Sequence, residues 1–205
     1  MGRPAVGFSL EELIDGSRAA LATADPPARI GELLRELLRE PARVVAAFES
    51  IGASQRADAP RAAEAAFRDT TLRITRVAVP PGFVSAPHSH GCWAVIGVYA
   101  GRENNRIWER SGGSIAMTRG RDLAHPDVLI LPEKSTIHSI ANPGVATSHA
   151  IHVYGGVDAE DRRMWHPASL EERPIDSSLF YRWSDEAPPD YVVRHGVATS
   201  GGKSA

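Results

Sequence analysis

The chain has 205 residues with 23 Lys and Arg against 25 Asp and Glu, a formal net charge of −2, 42% hydrophobic and 23% charged residues. That balance fits one well-filled domain with an appendage, and it excludes the basic footprint expected of a nucleic-acid or anionic-membrane binder. The single cysteine, Cys92, excludes an internal disulfide framework and fits a reducing compartment. No apolar run approaches the ~20 residues of a transmembrane helix. The N-terminus lacks the apolar core of a secretory signal, and Met1-Gly2-Arg3-Pro4 lacks the Ser or Thr of a myristoylation site. The expected location is the cytoplasm, with no nucleic acid and no membrane among the partners.

Residues 8–22 open with a helix signal: Ser9 can cap and Glu12, three residues on, completes a capping box. Pro26-Pro27 is expected to interrupt. Residues 28–50 read as helical again, with Ile30, Leu33, Leu34, Leu37, Leu38, Val44, Val45 and Phe48 forming an apolar stripe. Pro41 either opens a new helix or kinks this one. These helices are expected to cover one side of a β-domain. Residues 52–66, rich in Ala, Arg, Asp and Pro, read as a linker. The expected division is a helical extension and linker over 1–66, a β-barrel domain over 67–184 and a disordered tail over 185–205.

From about residue 67 the pattern alternates. Leu72–Val79 reads as a strand in which Arg76 shares the face of Leu72, Ile74 and Ala78. Pro80-Pro81-Gly82 leads to His88-Ser89-His90, followed by the apolar run Trp93–Tyr99. Glu103-Asn104-Asn105 reads as a turn, Ile107–Arg110 as a return strand and Ser111–Ser114 as a loop. Residues 126–132 read as a short buried strand, and 137–142 and 149–154 follow with turn residues between them. Many short strands at regular turn spacing argue for a sandwich or closed barrel. Glu160–Arg163 looks like a charged helix start.

Side chains on a strand alternate faces, so His88 and His90 point the same way and can reach one metal ion. Gly82, His88-x-His90, Ala94 and Gly101 are spaced as in the first signature of the cupin superfamily, which they resemble, although cupins usually carry a glutamate ligand where this chain has Ala94. Pro132, His138 and Asn142 resemble the second signature, one residue longer than usual before its histidine. The resemblance implies an all-β core, a double-stranded β-helix (jelly-roll) barrel with the N-terminal helices packed against it. It also implies His138 as the third metal ligand. Three imidazoles would leave coordination positions open, where a closed structural site would use four protein ligands.

The stretches His-Ser-His-Gly-Cys-Trp-Ala-Val-Ile-Gly-Val-Tyr-Ala-Gly-Arg-Glu-Asn-Asn, Ile-His-Ser-Ile-Ala-Asn-Pro and Ala-Ile-His-Val-Tyr-Gly-Gly together resemble the cysteine dioxygenase-type cupins. The similarity covers about residues 67–167. It implies Fe(II) on His88, His90 and His138, with His152 and Tyr154 on the family's outer-sphere His-x-Tyr pair. There the tyrosine hydroxyl sits near bound oxygen and the histidine holds it. Arg163, with Arg162 beside it, falls where mercaptopropionate-type members place a carboxylate-binding arginine. Arg68, Arg73 and Arg76 compete for that role, and Arg76 is preferred for its company on an apolar strand face. Two departures stand out. Ala150 replaces the serine that usually begins the outer-sphere chain, with Ser148 one step further along. Ala94 replaces the cysteine that mammalian members cross-link to tyrosine, and Cys92, read as a small apolar side chain, is two residues away, so no Cys–Tyr thioether is expected.

The implied function is an iron-dependent thiol dioxygenase that oxidises a small carboxylated thiol (cysteine or a mercapto-acid) to its sulfinate with dioxygen. Cupins often pair through their sheets, so a homodimer is compatible. Two rivals differ in class: another metal-dependent cupin enzyme, cleaving a carbon–carbon bond or isomerising a sugar, and a non-catalytic ligand-binding cupin.

Overall fold

The computed structural model describes residues 9–50, 63–155 and 161–186. Three helices come first, α1 (Leu10–Leu21), α2 (Pro26–Leu37) and α3 (Pro41–Ser50). The Ser9 hydroxyl accepts the Glu12 amide at 3.1 Å and the Glu12 carboxylate accepts the Ser9 amide at 3.0 Å, the expected reciprocal cap. Pro26-Pro27 opens a helix instead of interrupting one. Asp25 caps α2, and a proline in the first turn lacks only a donor that would have no partner there. Pro41 opens α3 in the same way.

Among the described residues, eleven strands form two antiparallel sheets. The first has the order β1 (Ala63–Arg68), β2 (Leu72–Val79), β9 (Ser148–Gly155), β4 (Trp93–Ala100), β7 (Val128–Leu131). The second has the order β11 (Glu172–Pro174), β10 (Arg163–Trp165), β3 (His88–Ser89), β8 (Ile137–Ala141), β5 (Arg102–Ser111), β6 (Ser114–Ala124). Chain neighbours thus lie in different sheets again and again, the winding of a double-stranded β-helix, with the N-terminal helices packed on the first sheet.

Both faces of that first sheet are buried. Leu72, Ile74, Val95, Tyr99, Ile151 and Val153 meet Leu13, Ile30, Leu34 and Leu38 from the helices. Ala94, Ile96, Val98, Ala150 and Tyr154 face the barrel interior with Ile107, Leu123 and Leu129. This is why β4 reads as an unbroken apolar run: neither face has to be polar.

Several elements depart from the sequence reading. Glu103-Asn104-Asn105 is not a turn but lies inside β5, with all three residues buried. The turn is confined to Gly101, where φ is +73° and a Cβ would stand 2.8 Å from Ser148 Cα, so a side chain is excluded twice over. β1 starts at Ala63, inside the stretch read as linker, and residues 51–62 lie outside the described residues, as does the expected tail from 187. Arg163 begins β10, not a helix, because Met164 pairs with His88 of β3. β6, β11 and α4 (Ser177–Asp185, capped by Asp176) were not anticipated. Among the described residues no helix is long and apolar enough to cross a membrane.

Candidate metal centre

The antiparallel pairing of β3 and β8 sets His88 directly opposite His138, and His90 follows two residues after His88. The Nε2 atoms of His88 and His90 are 3.1 Å apart, as are those of His90 and His138. His88 Nδ1 lies 3.0 Å from the Ala86 carbonyl oxygen and His138 Nδ1 lies 3.2 Å from Asn105 Oδ1. A ring nitrogen facing a carbonyl oxygen donates to it, so both rings carry the proton on Nδ1 and turn a bare lone pair inward. His90 has at most one Nε2 proton to share between two such lone pairs. Some buried acceptor is therefore left unmatched, a cost that a cation removes.

The spacing fits that cation. For metal–nitrogen bonds of about 2.1 Å, ligands at a right angle stand about 3.0 Å apart and tetrahedral ones about 3.4 Å. Two of the three pairs stand at 3.1 Å, and all three ligand atoms lie within 4.8 Å of one another. Among the described residues these three histidines form the only cluster able to hold a metal. Burial pushes the His88 imidazolium down to about 4 and those of His90 and His138 well below the ordinary histidine value. All three rings are neutral near pH 7, the form that ligates.

The cluster opens onto a cavity of about 350 Å³ between the sheets, lined also by Thr75, Val77, Ile140, His152, Tyr154 and Phe180. Tyr154 packs edge-on to His90, with ring centres 4.8 Å apart, and its hydroxyl lies 2.9 Å from His152 Nδ1. Burial raises the Tyr154 phenol to about 12 against the pull of Arg73 and Arg162, so it stays protonated. Burial also pushes His152 down to about 3. Its Nε2 is buried with no hydrogen-bond partner, since Ala150 has nothing to offer and Ser148 donates to Glu103 at 3.1 Å. Ala94 pairs with Tyr154 across β4 and β9, while Cys92 packs beside them as a free, partly buried thiol raised by desolvation.

The arginines divide differently from the sequence reading. Arg76 does lie on the Leu72/Ile74 face, but that face meets the helices: its Nε donates to the Tyr99 hydroxyl at 3.0 Å and its guanidinium sits 6.0 Å from the Phe48 ring centre. It does not line the cavity. Arg163 likewise turns away, with Nε 3.6 Å from Glu172 Oε1. Arg68, Arg73 and Arg162 line the cavity instead, and the Arg73 guanidinium lies 4.2 Å from the Tyr154 ring centre.

Three features around the metal cluster escaped the sequence reading. Asn105, within the supposed turn, orients His138. Glu103 is fully buried behind it, and burial raises its carboxyl to about 7 against the Ser148 and Asn105 side chains that favour the anion. Glu103 Oε2 and Asn105 Nδ2 themselves stop short of hydrogen-bonding geometry. α4 closes the other side, with Phe180 edge-on to His88 at 5.0 Å between ring centres. The Asp176-Ser177-Ser178 cap signal before Leu179 and Phe180 was the legible trace of that helix.

No protein-family model matches the chain, and no curated protein matches it. Solved structures to which it is similar include a Thermus thermophilus protein, at 16% identity over 53% of this chain and 93% of that one, with a TM-score of 0.42. A Klebsiella pneumoniae protein with a double-stranded β-helix domain gives 15% identity over 54% of this chain and 83% of that one, with a TM-score of 0.42. A cupin 2 conserved barrel domain protein of Salinispora arenicola gives 17% over 64% and 88%, with a TM-score of 0.38.

Proposed function

We propose that the protein is a thiol dioxygenase of the cysteine dioxygenase type, holding Fe(II) on His88, His90 and His138 and converting a small carboxylated thiol to its sulfinate. The observation that carries this reading is a cluster of three neutral imidazoles, two of which (His88 and His90) line a cavity that also presents a protonated phenol and guanidinium groups. The reaction RSH + O2 → RSO2H places both oxygen atoms on sulfur and needs no separate reductant. Bound Fe(II) would supply a place where the thiol ionises and dioxygen meets it, since coordination to a divalent cation deprotonates a thiol.

The chain's own residues do the rest. Arg162 binds the substrate carboxylate through its fork of donors, in the role that the family resemblance implies for its neighbour Arg163. Tyr154 keeps its proton at any working pH and serves as a hydrogen-bond donor. In the tautomer that carries the His152 proton on Nδ1, the ring donates to the phenol oxygen and the phenol proton is free to point into the cavity. Val77, Ile140 and Phe180 exclude water from the reacting sulfur. In this reading the partners are a small thiol and dioxygen, and the setting is the cytoplasm.

Protein purified without added metal is expected to carry stoichiometric iron and to consume oxygen with a carboxylated thiol, giving a product heavier by two oxygen atoms. His138→Ala is expected to lose iron retention and turnover together. A variant that keeps both would overturn the ligand assignment, and oxygen uptake that fragments a diketone without making sulfinate would replace the reaction.

A further inference from the structure

Arg73 and Arg162 are the two cavity arginines whose charge nothing in the described structure answers. The Nε of each is buried and has no hydrogen-bond partner, and neither forms an ion pair with a described residue. Among the described residues no aspartate or glutamate lines the cavity, which is bordered by Arg68 as well. The nearby acids are engaged elsewhere. Glu172 holds Arg110 at 2.8 and 2.9 Å, Asp69 holds Arg18 at 3.2 Å, and Glu103 is buried against Ser148. Burial and the charge of Arg73 both act against the Arg162 guanidinium, so the two cations stand close enough to feel each other.

A single carboxylate answers only one of them. Desolvated cations without counter-charges are unfavourable, and a fold that keeps two facing one cavity, with no described acid lining it, is preorganised for two anionic groups. The positions are distinct. Arg73 projects from β2 and rests on the Tyr154 ring at 4.2 Å, held by that contact, whereas Arg162 comes from the segment just before β10. We propose that the cavity takes a dianion, a thiol bearing two acidic groups of the mercapto-dicarboxylate class, with one acid on Arg162 and the second on Arg73. This rests on the reading above only in taking the cavity as the substrate site.

The test begins with ligands that have no sulfur, so that binding is measured apart from turnover. Succinate and butyrate share four carbons and differ by one carboxylate. By titration calorimetry on the full-length protein as purified, succinate is expected to bind at least about tenfold more tightly than butyrate. Arg73→Met keeps the apolar stem and removes the charge. It is expected to abolish that preference while leaving butyrate affinity within about twofold, and Arg73→Lys to retain part of it. Equal binding of the two acids by the wild type, or an undiminished preference in Arg73→Met, overturns the proposal. Oxygen uptake with mercaptosuccinate and 3-mercaptopropionate then separates the two readings. Turnover of both thiols with equal kcat/KM sinks the dianion and leaves the dioxygenase. A succinate preference that Arg73→Met removes, with no thiol oxidised, supports the dianion site and sinks the dioxygenase.

Discussion

Replacing Glu103 by Gln tests the buried carboxyl behind the metal cluster. Its side chain is fully buried and desolvation raises it from 4.5 to about 7, against the help of Ser148 and Asn105. The folded state therefore binds this proton more tightly than the unfolded chain does. The stabilisation is complete below the unfolded value of 4.5 and is lost as pH rises through about 7. At about 1.36 kcal/mol per pH unit, the rise from 4.5 to about 7 corresponds to about 3 kcal/mol lost across that window. His88 and His152 act with the opposite sign, because their depressed values make the folded state gain stability as pH rises toward 6.5. The quantity to follow is therefore the difference between the two proteins. Urea unfolding of metal-stripped wild type and Glu103→Gln is compared between about pH 4.5 and 8. The amide keeps an oxygen to accept from Ser148 and cannot ionise. The variant is expected to gain on the wild type steadily with pH, by about 3 kcal/mol at the top of the range. A difference that stays flat with pH would mean that Glu103 is ionised throughout, and the account of this corner of the barrel would fail.

Two further outcomes are expected. Asn105→Ala removes the acceptor that fixes the His138 ring, at 3.2 Å, and should weaken metal binding by about 10–100-fold in competition with a chelator, while secondary structure is kept. Gly155→Ala would drive a Cβ into the indole of Trp93, its cross-strand partner, and should cost about 1–3 kcal/mol in denaturant unfolding with an altered tryptophan emission.

Much of the architecture could be read in advance because it rests on short-range rules. The Ser9–Glu12 cap, the helical stripe of Ile30, Leu34 and Leu38, and the alternation in β2 and β9 each depend on neighbours within one turn or one pleat. The buried polar run in β5 was misread for an equally physical reason. Glu103-Asn104-Asn105 has the composition of a turn, and only the partners brought to it, Ser148 from β9, Asp122 from β6 and His138 from β8, make its burial tolerable. β6 was missed because only its Ile115 and Leu123 are buried and its residues carry little apolar pattern.

The order of residues is enough to put His88 and His90 on a shared face and to surround them with a barrel of short strands. It is also enough to place Arg73 and Arg76 on opposite faces of one strand. It could not say which face looks inward, because a sheet buried on both sides has no polar side to mark the outside. Packing between distant elements settles that, by laying the helices over Arg76 and leaving Arg73 to the cavity. The same holds one residue apart at 162 and 163. The pairing of Met164 with His88 fixes the register there, and a shift of one would exchange the arginine that lines the cavity with the one that faces Glu172.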